Sequence, residues 1–185
     1  MTNGFAALKV CAHTVEQLQK MGIKKPMPVQ EQAIPALFAG RDVIARAQTG
    51  TGKTLAFLVP LAEKIDTAKS YVQALVITPT RELAQQIAQD LTNLAQFLPE
   101  IRVVCVYGGA GLEKQQRQLK AGCHIVVATP GRLMDHYRHH AIDVSDVKTV
   151  VLDEADEMLN MGFYKDVKYI IDLMKHRESL SMFSA

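Results

Sequence analysis

The sequence predicts an α/β fold in which a central parallel sheet carries helices on both faces. Short runs rich in Val and Ile alternate with longer segments whose apolar residues recur at helical spacing, the βα rhythm of a parallel sheet. With 185 residues, 48% of them hydrophobic, the chain suits one domain with one core. The predicted strands are Val43–Ala45, Ala74–Thr78, Val103–Tyr107, Ile125–Ala128, Thr149–Leu152 and Met182–Ser184.

The intervening segments predict helices that cover the sheet. The clearest stripe, with a period that turns one helix face toward the sheet, consists of Leu83, Ile87, Leu91, Leu94 and Leu98. Residues 1–34 form an N-terminal segment that we expect to pack against a domain spanning 35–185. In this segment Val15, Leu18 and Met21 indicate a helix, which Pro26 and Pro28 should end before an extended path.

Composition excludes several classes of protein. No apolar run approaches the roughly 20 residues that span a bilayer, and Met1–Gly4 lacks the basic-then-apolar order of a signal peptide, so we expect a cytoplasmic protein without membrane contact. The widely spaced Cys11, Cys105 and Cys123 predict buried reduced thiols rather than disulfides or zinc ligands. His136, His139 and His140 lack companion ligands, which predicts a solvated helix end. The net charge of +2 means that any contact with a polyanion must be local.

The loop that follows the first predicted strand indicates a phosphate-binding site. It matches G-x-x-x-x-G-K-[ST], with Ala47 in place of the first Gly, and comprises Ala47, Gln48, Thr49, Gly50, Thr51, Gly52, Lys53 and Thr54. Glycines let backbone N–H groups turn inward, Lys53 supplies charge, and a helix beginning near Lys53 adds its positive end. Leu55 stands where a dinucleotide fingerprint needs a third Gly. The predicted ligand is a nucleoside triphosphate with Mg²⁺ on the Thr54 hydroxyl.

A pair of carboxylates completes this site. Asp153 ends the apolar run 150–152 and Glu154 follows directly. A carboxylate there is costly to desolvate without a cation. We expect side chains that diverge from the strand end, so that Asp153 holds Mg²⁺ through water while Glu154 orients the attacking water. The pair therefore predicts hydrolysis.

Two similar segments predict contacts with a nucleic-acid backbone. Thr78-Pro79-Thr80-Arg81 and Thr129-Pro130-Gly131-Arg132 each follow a strand and open a helix, so that free N–H groups lie beside an arginine, as suits a phosphate. Gly108 and Gly109, after another strand, would add a third patch of backbone. With 6% aromatic residues and no Trp, sequence-specific readout is not expected. These residues do not separate RNA from DNA.

Gln30 is a candidate reader of the base. A glutamine carboxamide can pair with the N6 and N7 edge of adenine, which would select ATP over GTP; the alternative is an exposed turn residue.

From Phe5 onward the motifs resemble the first RecA-like domain of DEAD-box ATP-dependent RNA helicases. Asp153-Glu154-Ala155-Asp156 is the motif that names the family, and 47–54 is its phosphate loop. The motifs on the RNA side are Pro79-Thr80-Arg81-Glu82, continuing through Leu83 and Ala84, Gly108-Gly109 and Thr129-Pro130-Gly131-Arg132. The resemblance implies that Gln30 reads adenine, that Phe5 stacks near the base, and that Asp156 links the ATP site to Ser184 and Ala185. The resemblance also implies that the partner is RNA and that the protein is a monomer.

The chain departs from the family pattern at three places. Ile23 replaces a usual aromatic residue, Val29 replaces the commoner Ile, and the Ser-Ala-Thr motif stops at Ala185. From the last departure we expect a C-terminal RecA-like domain, with its arginine fingers, that is absent from this chain, and hence weak turnover by the chain alone.

Two other functions fit the phosphate loop. A small-molecule P-loop kinase would need an acceptor pocket and no polymer groove. A nonenzymatic ATP-sensing module would need neither hydrolysis nor Glu154.

Overall fold

The computed structural model describes residues 4–48, 50–97 and 100–185. Within these ranges it contains one parallel sheet of six strands in the order β1-β6-β5-β2-β4-β3. The strands are β1 Val43–Arg46, β2 Ala74–Ile77, β3 Val103–Val106, β4 Ile125–Ala128, β5 Thr149–Asp153 and β6 Ser179–Ser184. The predicted parallel sheet is confirmed.

Helices cover both faces of the sheet, because successive strand residues point to opposite sides. Val76 contacts a buried cluster that contains Phe57 and Ile87, whereas Leu75 contacts a second cluster with Leu133 and Ile170. The helices are α1 Gly4–Ala7, α2 Ala12–Lys20, α3 Pro28–Phe38, α4 Lys53–Glu63, α5 Arg81–Leu94, α6 Leu112–Lys120, α7 Pro130–Arg138, α8 Ala155–Asn160 and α9 Tyr164–Asp172, with a short 3-10 turn at Ala95–Phe97.

The ends of several strands differ by one residue from the prediction, and the start of the last strand differs most. The last strand begins at Ser179, three residues before the predicted start. The prediction missed this part because Ser179 and Ser181 are polar but buried, so the first residues do not show an apolar pattern. Along α5 the predicted stripe is buried at Ile87, Leu91 and Leu94, whereas Leu98 lies outside the described residues.

The N-terminal segment is helical on both sides of its prolines. Helix α2 ends at Lys20, before Pro26. The predicted extended path ends before Pro28: Met27 is extended, with a φ of −81° and a ψ of 158°, and Pro28 already occupies the first turn of α3, where its missing N–H costs nothing. Leu18 and Ile34 belong to the same buried cluster as Phe57. The segment therefore packs on the side of the sheet that α4 and α5 cover.

The structure bears on the expectations about membrane helices and about the cysteines. No helix among the described residues is long and apolar enough to cross a membrane. All three cysteines are free thiols, but Cys11 is exposed, so its predicted burial is wrong. Burial raises the pKa of Cys105 and of Cys123 to about 11.

Candidate functional site

The sheet order divides the carboxyl-terminal edge of the sheet into two halves. In the first half β1, β6 and β5 are neighbours, with Arg46 opposite Ser184 and Phe183 opposite Asp153. The ends of β1 and β5, which carry the predicted phosphate loop and the Asp153 carboxylate, are therefore about 10 Å apart, two strand spacings. The second half comprises β2, β4 and β3, which precede the three segments predicted to contact a nucleic-acid backbone.

Two glycines of the predicted phosphate loop have the backbone conformation that the motif favours. Gly50 and Gly52 adopt φ values of 82° and 83°, in the left-handed region where other residues are strained. Between them the Thr51 hydroxyl donates to the Gln48 carbonyl at 2.6 Å, closing a turn. Helix α4 begins at Lys53, as predicted, with Thr54 in its first turn. Thr49 lies outside the described residues.

The end of β6 is tied to this loop. Ser184 O accepts from the Lys53 ammonium at 3.2 Å and from the Ala47 N–H at 3.0 Å, and the Arg46 Nε–H donates to Ala185 O at 3.1 Å. Asp156 is exposed on α8, and no hydrogen bond joins it to Ser184 within the described part of the chain. The link between Asp156 and Ser184 therefore stays a prediction.

Asp153 is a buried carboxylate that suits a cation. Only 4% of it is exposed, and burial raises its pKa to about 6; the Glu154 carboxylate adds to the rise, while the Glu154 N–H at 3.1 Å and the Lys53 charge oppose it. A divalent cation would favour the charged form. Among the described residues no group of three His, Cys, Asp or Glu could hold a metal, so phosphate oxygens would have to share the coordination.

Glu154 leaves the strand by a left-handed turn. Its φ of 51° and ψ of 50° are uncommon for a residue with a side chain and cost about 1–2 kcal/mol. The predicted divergence of the two carboxylates through strand alternation is therefore wrong in its cause, because β5 ends at Asp153. Strain of this kind clusters at functional sites.

Gln30 lies beneath the phosphate loop rather than in an exposed turn. It is 1% exposed in the first turn of α3; its Oε1 accepts from the Met27 N–H at 2.9 Å, and its Nε2 donates to Gly52 O at 3.0 Å. Phe5 is fully buried in the core. Reading of adenine by Gln30 and stacking by Phe5 both stay predictions, since neither side chain faces solvent here.

The second half of the edge brings the other predicted segments together. Arg81, half exposed and 3.1 Å from the Glu82 carboxylate, begins α5, where the Thr80 hydroxyl accepts from the Leu83 N–H at 3.3 Å. A Cβ placed on Gly109 would lie 3.4 Å from Arg81 Nη1. The Arg81 guanidinium and the Gly108–Gly109 loop thus form one polar surface.

The two T-P-x-R segments are not equivalent. Pro79 precedes the N-cap Thr80, which leaves Arg81 directed to solvent, whereas Pro130 itself begins α7. Arg132 consequently lies in the first turn of α7, and its side chain is only 13% exposed. Its Nη1 donates to Ala110 O at 2.9 Å and to Gln115 Oε1 at 3.2 Å. Arg132 therefore makes its hydrogen bonds within the protein, whereas the Arg81 side chain is half exposed.

Two buried polar residues beside Arg132 were not predicted as site residues. Gln115 on α6 is 4% exposed, and His136, one turn after Arg132 on α7, is fully buried. The predicted solvated helix end is therefore wrong for His136, although His139 and His140 are exposed. The i, i+4 spacing of Arg132 and His136 was a signal that they share a helix face.

Comparison with known proteins agrees with these motifs. Residues 27–185 match the family model described as DEAD/DEAH box helicase. The DEAD-box ATP-dependent RNA helicase CshA of Streptococcus pneumoniae serotype 4 is 47% identical over 181 residues, which is 98% of this chain and 34% of that protein. CshA of Bacillus licheniformis is 44% identical over 100% of this chain and 38% of its own length. The chain thus spans about a third of these relatives.

Solved structures give the same fold. The crystal structure of a DEAD box protein from Methanococcus jannaschii superimposes with a TM-score of 0.91 and 35% identity, covering 100% of this chain and 50% of that one. A hypothetical ATP-dependent RNA helicase from Sulfolobus tokodaii gives a TM-score of 0.87 and 37% identity, covering 95% of this chain and 51% of that one. The fold is thus RecA-like, and the chain belongs to the DEAD/DEAH box helicase family.

Proposed function

We propose that this chain is the ATP-binding half of an RNA-dependent ATPase that locally remodels RNA duplexes through sequence-independent backbone contacts. One observation supports the proposal: the predicted phosphate loop and the buried Asp153 follow strands on one half of the sheet edge, and the three segments predicted to contact a nucleic-acid backbone follow strands on the other half. RNA is proposed as the polymer because the relatives are named RNA helicases.

The nucleotide half would bind ATP through the loop at 47–54 and the helix that follows it. Backbone N–H groups around Gly50 and Gly52, with the N-terminus of α4, would donate to the phosphates. The Lys53 ammonium exchanges Ser184 O, 3.2 Å away, for the outer phosphates. The Thr54 hydroxyl and Asp153, the latter through water, would hold Mg²⁺. The bound ion neutralises charge on the phosphates.

Glu154 is the residue proposed to orient the attacking water. It directly follows the buried Asp153, and its backbone is left-handed. A carboxylate there can accept a proton from water while Asp153 stays committed to the cation.

Completion of the site requires a second RecA-like domain. Arginine fingers account for roughly 10³ to 10⁵ in rate where they have been measured, so we expect weak ATP hydrolysis by this chain alone. Brisk RNA-stimulated ATP hydrolysis by the 185 residues would contradict the proposal that a second domain completes the catalytic site.

A substitution of Glu154 tests the hydrolytic role. In the protein extended by its second domain, Glu154→Gln should bind ATP and Mg²⁺ with unchanged affinity and lose turnover by about 10²-fold or more. Glu157→Gln, at an exposed position on the same helix α8, is the matched control and should keep full turnover. Unchanged turnover in Glu154→Gln would favour the nonenzymatic ATP-sensing module.

Crosslinking separates the helicase half from a P-loop kinase. Photocrosslinking of this chain to a single-stranded oligonucleotide should succeed and should weaken in Arg81→Gln. Absence of crosslinking, with no effect of Arg81, would favour the kinase. RNA and DNA versions of the oligonucleotide report on the choice of polymer.

A further inference from the structure

A buried polar network of Gln115, Arg132 and His136 holds the carbonyls on either side of the Gly108–Gly109 loop. Gln115 is its centre: Nε2 donates to Tyr107 O at 3.1 Å, and Oε1 accepts from Arg132 Nη1 at 3.2 Å and lies 2.9 Å from His136 Nε2. A backbone carbonyl only accepts, so the amide nitrogen must face Tyr107. The orientation of the carboxamide is thereby assigned, and Oε1 faces Arg132 and His136.

This orientation also sets the proton on His136. Because Gln115 Oε1 accepts, His136 must donate from Nε2, which leaves a lone pair on Nδ1. His136 Nδ1 is buried without a partner in the described ranges. Burial, with the Arg132 charge as a second cause, lowers the pKa of His136, in keeping with a neutral ring. The hydrogen bond from His136 to Gln115 thus fits a neutral ring, whereas Nδ1 of His136 and Nε of Arg132 have no hydrogen-bond partner among the described residues.

The network holds both ends of the Gly108–Gly109 loop. Gln115 binds the carbonyl of Tyr107, immediately before the two glycines, and Arg132 binds the carbonyl of Ala110, immediately after them, at 2.9 Å. The glycines between these anchors are exposed. Without the anchors, two glycines in succession would leave the loop free to adopt many conformations.

We propose that Gln115 and His136 are positioning residues that, together with Arg132, hold the Gly108–Gly109 backbone ready for RNA, while Arg81 supplies the phosphate charge. Arg132 then acts through the loop and is not itself a phosphate ligand. This inference rests on the proposed function, since it assigns the source of RNA affinity within the same site.

The salt dependence of RNA binding distinguishes a positioning residue from a phosphate ligand. For single strands each phosphate contact contributes about 0.7 to the slope of log K against log salt concentration. Titration of this chain with a labelled single-stranded RNA should show that Arg81→Gln lowers the slope by about that amount. Gln115→Leu and Arg132→Gln should weaken binding about tenfold, the effect of buried hydrogen bonds lost, and leave the slope unchanged.

A conservative pair at His136 supplies the rescue. His136→Gln keeps a donor near the Nε2 position and should retain RNA affinity, whereas His136→Leu should behave like Gln115→Leu. Gln118→Leu, at an exposed position on the same helix α6, is the matched control and should change neither affinity nor slope. Thermal melting and binding of a fluorescent ATP analogue verify the fold; if Gln115→Leu does not fold, the His136 pair decides.

Three outcomes would overturn the inference. The first is equal RNA affinity in His136→Leu and the unsubstituted chain. The second is a His136→Gln variant as weak as His136→Leu. The third is a slope reduced by Arg132→Gln as much as by Arg81→Gln, which would make Arg132 a phosphate ligand. Failure of the unsubstituted chain to bind any RNA is a separate result, because it would refute the proposed function itself.

Discussion

Gly52 joins the phosphate loop to the segment that carries Gln30. Its carbonyl accepts from the Gln30 carboxamide at 3.0 Å, and its φ of 83° lies in the left-handed region. A Cβ at this position would overlap Gln30 Nε2 and lie 3.3 Å from Met27 Cγ. Two demands therefore fall on one residue: an unusual backbone conformation and an absent side chain.

Gly52→Ala should abolish nucleotide binding. The left-handed backbone costs about 1–2 kcal/mol for a residue with a Cβ, and relief of the overlap must displace the buried Gln30. Gly162→Ala is the matched control, because Gly162 has a φ of 81° and open space around its Cβ position. Titration with a fluorescent ATP analogue should show loss of binding in the first variant alone, while urea unfolding reports the strain in both. Retained binding in Gly52→Ala would contradict the coupling to Gln30.

At the level of secondary structure, local pattern predicted most strands and the helix start at Lys53 but missed interactions between elements. Val-rich runs such as 150–152 identify themselves, because strands buried on both faces are apolar throughout. Ser179 and Ser181 broke that pattern, although both are buried. The pairing of Gln115 on α6 with α7 could not be predicted, since it depends on which helices are neighbours.

Ser181→Ala should stabilise β6. Ser181 is fully buried between Val43 of β1 and Val151 of β5, and its hydroxyl has no hydrogen-bond partner among the residues that the structure describes. An unsatisfied buried polar group costs about 1–3 kcal/mol, so removal should raise the free energy of unfolding by about 1 kcal/mol. Urea denaturation measures the change, with the exposed Ser70→Ala as control. A destabilised Ser181→Ala would mean that the hydroxyl is satisfied in solution.

For the whole molecule, the order of the strands in the sheet determines how far apart the two predicted binding sites lie. Six predicted parallel strands permit many orders, and nothing in the motifs alone chooses among them. The observed order places β6 and β5 between β1 and β2, so the strand ends that precede the phosphate loop and the 78–81 segment are about 14 Å apart, three strand spacings. Both sites thus share one rigid edge without sharing a residue.

This separation predicts that ATP and RNA bind independently to this chain. Mutations more than about 7–10 Å apart without common partners are additive to about 0.5 kcal/mol. We expect the same of the two ligands, so RNA affinity with and without ATP and Mg²⁺ should agree within about twofold. Titrations of labelled RNA in both conditions measure this, and Lys53→Ala, which should not bind the nucleotide, corrects for the ionic effect of added ATP. Coupling is reciprocal and reaches 5–150-fold in allosteric proteins, and on this proposal it arises only when a second domain contacts both halves of the edge. A tenfold effect of ATP in the chain alone would place the coupling inside one domain and contradict the two-domain proposal.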